Sequence, residues 1–169
     1  MKSHFAMMAA YNAWCNERIY EAVAQLPEAD YHADRGAFFR SVSGTLNHLL
    51  ATDRIWLKRF TGEGDAPERL DAVLFERFSD LRAARRYEDK RIIGYVESLS
   101  EAELAGRIRY RGITNPTETE QPLGPALAHV FNHQTHHRGQ VHCLLTGFGI
   151  EAPVLDLLAF QRISGLGMA

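Results

Sequence analysis

Long stretches of the chain carry apolar residues at helical spacing, separated by stretches where that spacing fails. Over residues 3–26, Met8, Cys15, Ile19, Val23 and Leu26 form one stripe, broadened by Tyr11 and Trp14. Ser3 is placed to cap this first helix, and Pro27 follows its end. A second helix is predicted from Ser41 or Ser43 to about Thr61. Val42, Leu46, Leu49, Leu50, Trp56, Leu57 and Phe60 form its apolar side, and Arg54 and Lys58 its wet side. A third helix is predicted from Ser79 to about Leu99, with Leu81, Tyr87 and Ile92 as core contacts. Its Arg82, Arg85, Arg86, Lys90 and Arg91 alternate with Glu88 and Asp89, which reads as a solvated face.

A fourth long helix is predicted over Pro125–Gly147. Pro125 suits the first helical position, where no N–H is needed, and Gly147 and Gly149 end the run. After Pro153, VLDLLAFQRI reads as a short fifth helix with Asp156 near its start, followed by a frayed tail, SGLGMA. Residues 27–40 form a connection in which Tyr31, Phe38 and Phe39 are expected anchors and His32 is exposed. Leu70, Val73, Leu74 and Phe75 fall in an irregular packed segment after the GEGDAP loop. Residues 100–124 break the helical period, and their alternation predicts a small β excursion near 107–121. The sum is an all-α chain: a four-helix bundle with a short fifth C-terminal helix, in one domain spanning 1–169.

The fourth helix carries an unusual pattern. With a rotation of ~100° per residue, Ala126, Val130, Val141, Leu144 and Phe148 share one stripe, and His133 and His137 fall within it. Neutral imidazole is costly to bury unless its ring nitrogens find partners. Spacing of four sets the two rings side by side, able to point lone pairs at one ion. This helix is therefore read as carrying a metal site, against the alternative of two hydrogen-bonded packing histidines. His142 is expected on the surface, and His129 and His136 on the flank. His48 lies between the apolar and wet sides of the second helix, beside Thr52 and Ile55. Periodicity leaves it open as a surface-edge imidazole or a ligand reaching sideways. Asp53 projects from the apolar side and needs an arginine or an imidazole N–H. Asn12 and Asn16, spaced i, i+4, are placed to hydrogen-bond neighbouring helices or to face a polar seam or water, and Arg138 falls off the stripe, toward a surface salt bridge. Asp53, Gln140 and His129 are candidates to orient ligands or water.

Composition excludes several classes. A formal net charge of -2, from 19 basic and 21 acidic side chains, gives no electrostatic footprint for nucleic acid. No apolar run approaches a membrane span, and MKSHFAMMAAYNAW breaks into polar residues too soon for an export signal. The expected location is the cytoplasm, with Cys15 and Cys143 as reduced, packed thiols. HExxH is absent, as are the Glu-x-x-His pairs of di-iron bundles.

YNAWCNERIYEA, LNHLLATDRIWLKRF, ALAHVFNHQTHHRGQV and PVLDLLAFQR together resemble the DinB-like (damage-inducible) family, over nearly the whole chain. The resemblance implies a four-helix bundle holding a divalent metal through three histidines. Carried over by matching context, these are His48, His133 and His137, with His129 and His136 outside the set. It also implies kinship with thiol-dependent transferases. The function expected is that of a divalent-metal protein with an open three-histidine site, binding zinc or nickel. It would act as a thiol S-transferase or a hydrolase on a small molecule, such as a low-molecular-weight thiol. The rival reading is a non-catalytic stress-response protein stapled by its metal. A homodimer is the expected assembly, with no nucleic-acid or membrane partner.

Overall fold

The helical stripes of the sequence become four long helices in the computed structural model, which describes residues 1–168; Ala169, the end of the predicted tail, lies outside the described residues. The long helices are α1 (Lys2–Val23), α3 (Val42–Thr61), α4 (Phe78–Ser98) and α6 (Leu123–Gly147). Shorter ones are α2 (Glu28–His32), α5 (Glu101–Leu104) and α7 (Leu157–Ser164). The period-2 stretch forms an antiparallel hairpin of β1 (Arg107–Arg111) and β2 (Glu118–Pro122), with Arg109 opposite Glu120. Around the bundle the order is α1, α4, α3, α6, so each long helix packs on two others. The consecutive long helices α1 and α3 lie across a diagonal, so the bundle is not wound in simple sequence order.

Local chemistry explains most boundaries. Ser41 caps α3 by accepting from the Gly44 N–H at 3.0 Å, and Gly62 ends it in the left-handed conformation at φ 76°. Ser100 and Glu103 form a reciprocal capping box that makes the unpredicted α5. Ser3 and Ser79 do not cap: the helices there start at Lys2 and Phe78, without side-chain caps. The last long helix starts two residues before Pro125, at Leu123. Pro125 still fits, because the first helical N–H groups have no intrahelical acceptor.

The core is three-tiered. At one end Ile19, Tyr20, Leu46, Leu50, Leu81, Val141 and Leu145 pack together; at the other, Phe5, Ala9, Ile92, Val96, Leu127 and Phe131. Between these apolar tiers every long helix contributes buried polar groups: Asn12 and Asn16 from α1, Asp53 from α3, Arg85 and Asp89 from α4, Gln134 and Arg138 from α6. Arg85 Nη1 donates to Asp53 Oδ2 at 2.6 Å, and Asn16 Nδ2 to Asp89 Oδ1 at 2.9 Å. Arg138 donates to Asn12, Asn16 and Gln134, and the Gln134 amide donates to Asp53. Burial works against the Arg85 charge, but Asp89 and Asp53 outweigh it and hold the guanidinium above its ordinary value. Burial pushes the Asp53 carboxyl up, and Arg85 and Gln134 pull against it.

This tier corrects several expectations. Arg85 and Asp89 do not belong to a solvated face, and neighbouring Glu88 is fully buried between Arg54 and Arg91. Arg138 is 2% exposed rather than at a surface. Of the alternatives for Asn12 and Asn16, the polar seam holds and water does not. Tyr87 and Phe38, expected to pack, stand in solvent, and so does Val73. Cys15 is buried as expected, but Cys143 is exposed. His142 is half-buried rather than on the surface.

In urea, Arg85→Ala should cost about 3–5 kcal/mol, because it strands a buried carboxylate. Arg82→Ala, which removes a partly exposed contact to Glu17, should cost under about 1 kcal/mol. Equal losses would contradict a stabilising middle tier. Hydrogen bonds from Arg86 and then Arg82 hold the Glu17 carboxyl down at about 2, from 4.5. Its contribution should be complete above pH 4.5 and fade as pH falls toward 2. Comparing wild type with Glu17→Gln in acid unfolding should show the two curves converge over that interval.

Candidate metal centre

His133 and His137 sit one turn apart on α6, immediately before Gln134 and Arg138 of the polar tier. Their backbone is thereby fixed in rotation, and their rings leave the bundle beside α3. His48 lies on α3, five residues before Asp53, and it reaches sideways to meet them. The three ring centroids are 4.5–5.0 Å apart, and one nitrogen from each ring lies within 4.8 Å of the others. Among the described residues no fourth histidine, cysteine, aspartate or glutamate joins this cluster.

Two local devices aim His48. Asn47 accepts from the N–H groups of Leu74 and Phe75 and donates to the Phe75 carbonyl, clamping the irregular segment onto α3. That clamp brings the Leu70 carbonyl to His48 Nδ1 at 2.7 Å. A carbonyl only accepts, so Nδ1 carries the proton and Nε2 of the neutral ring keeps its lone pair. On the other side Phe39 stacks on His48 with centroids 3.7 Å apart and meets His137 edge-on at 5.4 Å. The turn carrying Phe39 lies on the first turn of α3, where a Cβ on Gly44 would stand 2.1 Å from the Phe39 carbonyl oxygen. Glycine at 44 is thus what lets Phe39 approach. Arg40, ending that turn at φ 70°, takes the left-handed conformation that non-glycine residues rarely adopt.

Gln140, just under one turn beyond His137, accepts from His137 Nδ1 at 2.8 Å, which leaves Nε2 of that ring for a ligand role. His48 Nε2 faces His133 Nε2 at 3.1 Å. Nitrogens bound to one tetrahedral zinc at ~2.05 Å would stand about 3.3 Å apart. Burial, and then their histidine neighbours, lower the basicity of these rings: His133 to about 3, His48 to about 4, and His137 below its ordinary value. Imidazoles held neutral are in the form that ligates metals. Donor type, spacing and the tautomers of His48 and His137 therefore fit a divalent cation, and these three histidines could hold one.

His129, His136 and Asp53 lie outside the cluster. His129 is exposed and packs on Trp56, 5.9 Å from the His133 ring. His136 is exposed and contacts the Gln140 amide. Asp53 is occupied by Arg85 and Gln134. Asn47, Leu70 and Gly44 carry no sequence signal for their roles here. Phe39 is among the expected anchors, but its partner is a histidine rather than the end of the bundle.

A helical bundle with three convergent neutral imidazoles from two helices defines a class of candidate metal-binding bundles. The family model described as the DinB family matches residues 1–166, and the chain belongs to that family. It is similar to "Protein DinB" of Bacillus subtilis (strain 168), at 26% identity over 156 residues, which cover 86% of this chain and 87% of the relative. Among solved structures it resembles a DinB-like protein from Bacillus cereus ATCC 10987 with a TM-score of 0.65 and 15% identity. That match covers 83% of this chain and 89% of the other. At that identity the likeness speaks for the fold alone. Among the described residues no helix is long and apolar enough to cross a membrane.

Gly44→Ala should displace Phe39 and loosen His48. Isothermal titration with zinc should then show affinity reduced by about tenfold or more while α-helix content by circular dichroism is unchanged. Unaltered affinity would mean that the stacked ring does not aim the ligand.

Proposed function

We propose that this protein holds one divalent cation, zinc or nickel, on His48, His133 and His137 and uses it in metal-dependent chemistry on a small molecule. Thiol S-transfer or hydrolysis is the reaction type. The observation that carries this reading is the convergence of three neutral imidazoles with, among the described residues, no histidine, cysteine or carboxylate joining them as a fourth member of the cluster. When bound, the ion would supply Lewis acidity and favour the thiolate form of a coordinated thiol.

The chain's own residues do the rest. Leu70 and Gln140 hold protons at the Nδ1 atoms of His48 and His137, so that the Nε2 atoms stay available. Phe39 covers His48 and excludes water from its face. His133 is the least buried of the three residues. A second reading, an ion acting as a staple, is favoured by one feature: the histidines come from α3 and α6, so a cation would cross-link two neighbouring helices.

Elemental analysis of protein purified without a nickel column should find about one zinc or nickel per chain, absent from His133→Ala. The loaded protein should transfer a low-molecular-weight thiol to an electrophilic acceptor at a rate abolished by chelation and restored by the ion. A stoichiometric ion whose removal lowers the melting temperature, with no thiol transfer and no hydrolysis, would favour the staple. No ion in the wild type would remove both readings.

A further inference from the structure

A cavity of about 700 Å³ runs along α6 beyond the histidine cluster, within the usual range for small-molecule sites (about 300–1,000 Å³). Its walls include His136, Gly139, Gln140 and Cys143 of α6, and Arg35 and Phe148 face them. Three features make it more than a furrow. Gln140 lines the cavity and also bonds His137 Nδ1 at 2.8 Å, so the cavity begins where the candidate metal ligand is held. A Cβ at Gly139 would meet nothing within 4 Å, so the absent side chain leaves space that no other described part of the chain fills. The Arg35 guanidinium lies over the Phe148 ring at 4.2 Å, which holds it against the cavity wall. Its ion pair with Asp30 is long, at 4.0 Å, and half-exposed, so a bound carboxylate could compete with it.

We infer that this cavity is the substrate site of the proposed metal centre and takes a small, largely apolar molecule carrying a carboxylate, with the acid on Arg35 and the apolar body along Gly139. The inference rests on the metal reading for its chemistry but not for its binding. The walls are largely apolar, and the only guanidinium or ammonium among the lining residues is Arg35, so an apolar acid matches both parts. A planar guanidinium pairs with a carboxylate through two parallel N–H bonds.

The exposed Cys143 thiol in the wall gives the readout, because Cys15 is fully buried. Iodoacetamide should alkylate Cys143, followed by mass spectrometry, and phenylbutyrate should slow that reaction at concentrations where phenylbutanol does not. Arg35→Ala should erase the preference for the acid, about tenfold. Gly139→Leu fills the cavity from a helical position with room for the side chain, and should abolish protection by either compound while the melting temperature holds. His133→Ala separates the two ideas. Protection that survives there while no ion binds keeps the cavity and sinks the metal reading only if the wild type also lacks an ion. In cobalt-loaded wild type, phenylbutyrate should shift the visible absorption, and an unmoved band would detach the cavity from the centre. The proposal is overturned if no apolar acid protects Cys143, or if protection is indifferent to both substitutions. It is equally overturned if alkylation depends on protein concentration and sedimentation shows that Gly139→Leu breaks a dimer, which would make this face a contact between two copies.

Discussion

The buried polar tier halfway along the bundle is the constraint on which the rest depends. Apolar tiers above and below it tolerate sliding and rotation, since one methyl group packs much like another. The Asp53–Arg85–Asp89–Asn16–Arg138–Gln134 network does not, because each donor has to meet its acceptor or go unpaired in a low-dielectric interior. The four long helices all contribute to it, so it sets their mutual register. His133 and His137 each precede a member of the network by one residue. The tier that fixes the height and rotation of α6 therefore also fixes where these two imidazoles emerge.

His48 depends on this tier less directly. Its helix is pinned by Asp53, but its ring is aimed by loops: the Leu70 carbonyl on one side and the Phe39 ring on the other. Both loops are held against α3 by its own early residues, Asn47 by hydrogen bonds and Gly44 by the side chain it lacks. One helical turn near the start of α3 thus supplies a ligand candidate, the clamp for one loop and the landing site for the other. Core packing and site geometry are joined there over a few residues.

The long helices are legible in the sequence because a wide apolar stripe at period 3.6 suits neither a strand nor a loop, and the hairpin because its alternation replaces that period. The pair His133 and His137 is legible for the same reason: imidazoles inside an apolar stripe break the pattern. His48 is not, since a ring on a helix flank points toward whatever neighbour the bundle brings, and periodicity does not say which. Its place in the set comes from the family resemblance. Arg85 and Arg138 mislead because a charged residue among other polar ones looks the same whether it is solvated or buried among partners. Asp53 does signal a need for an arginine, but choosing Arg85 among the five basic residues expected on that helix face requires the order of helices around the bundle. Asn47 and Leu70 carry no signal, because their roles belong to a loop whose path local sequence does not dictate.

The close approach of His48 Nε2 and His133 Nε2 has a consequence for how an ion would enter. With the His48 proton committed to the Leu70 carbonyl, two lone pairs cannot face each other at 3.1 Å. The His133 ring therefore lends its own hydrogen to that gap, where a cation held by the three histidines would have to stand. That hydrogen would have to pass to the far nitrogen of His133 or out to water, so loading would couple to a change of tautomer at this ring.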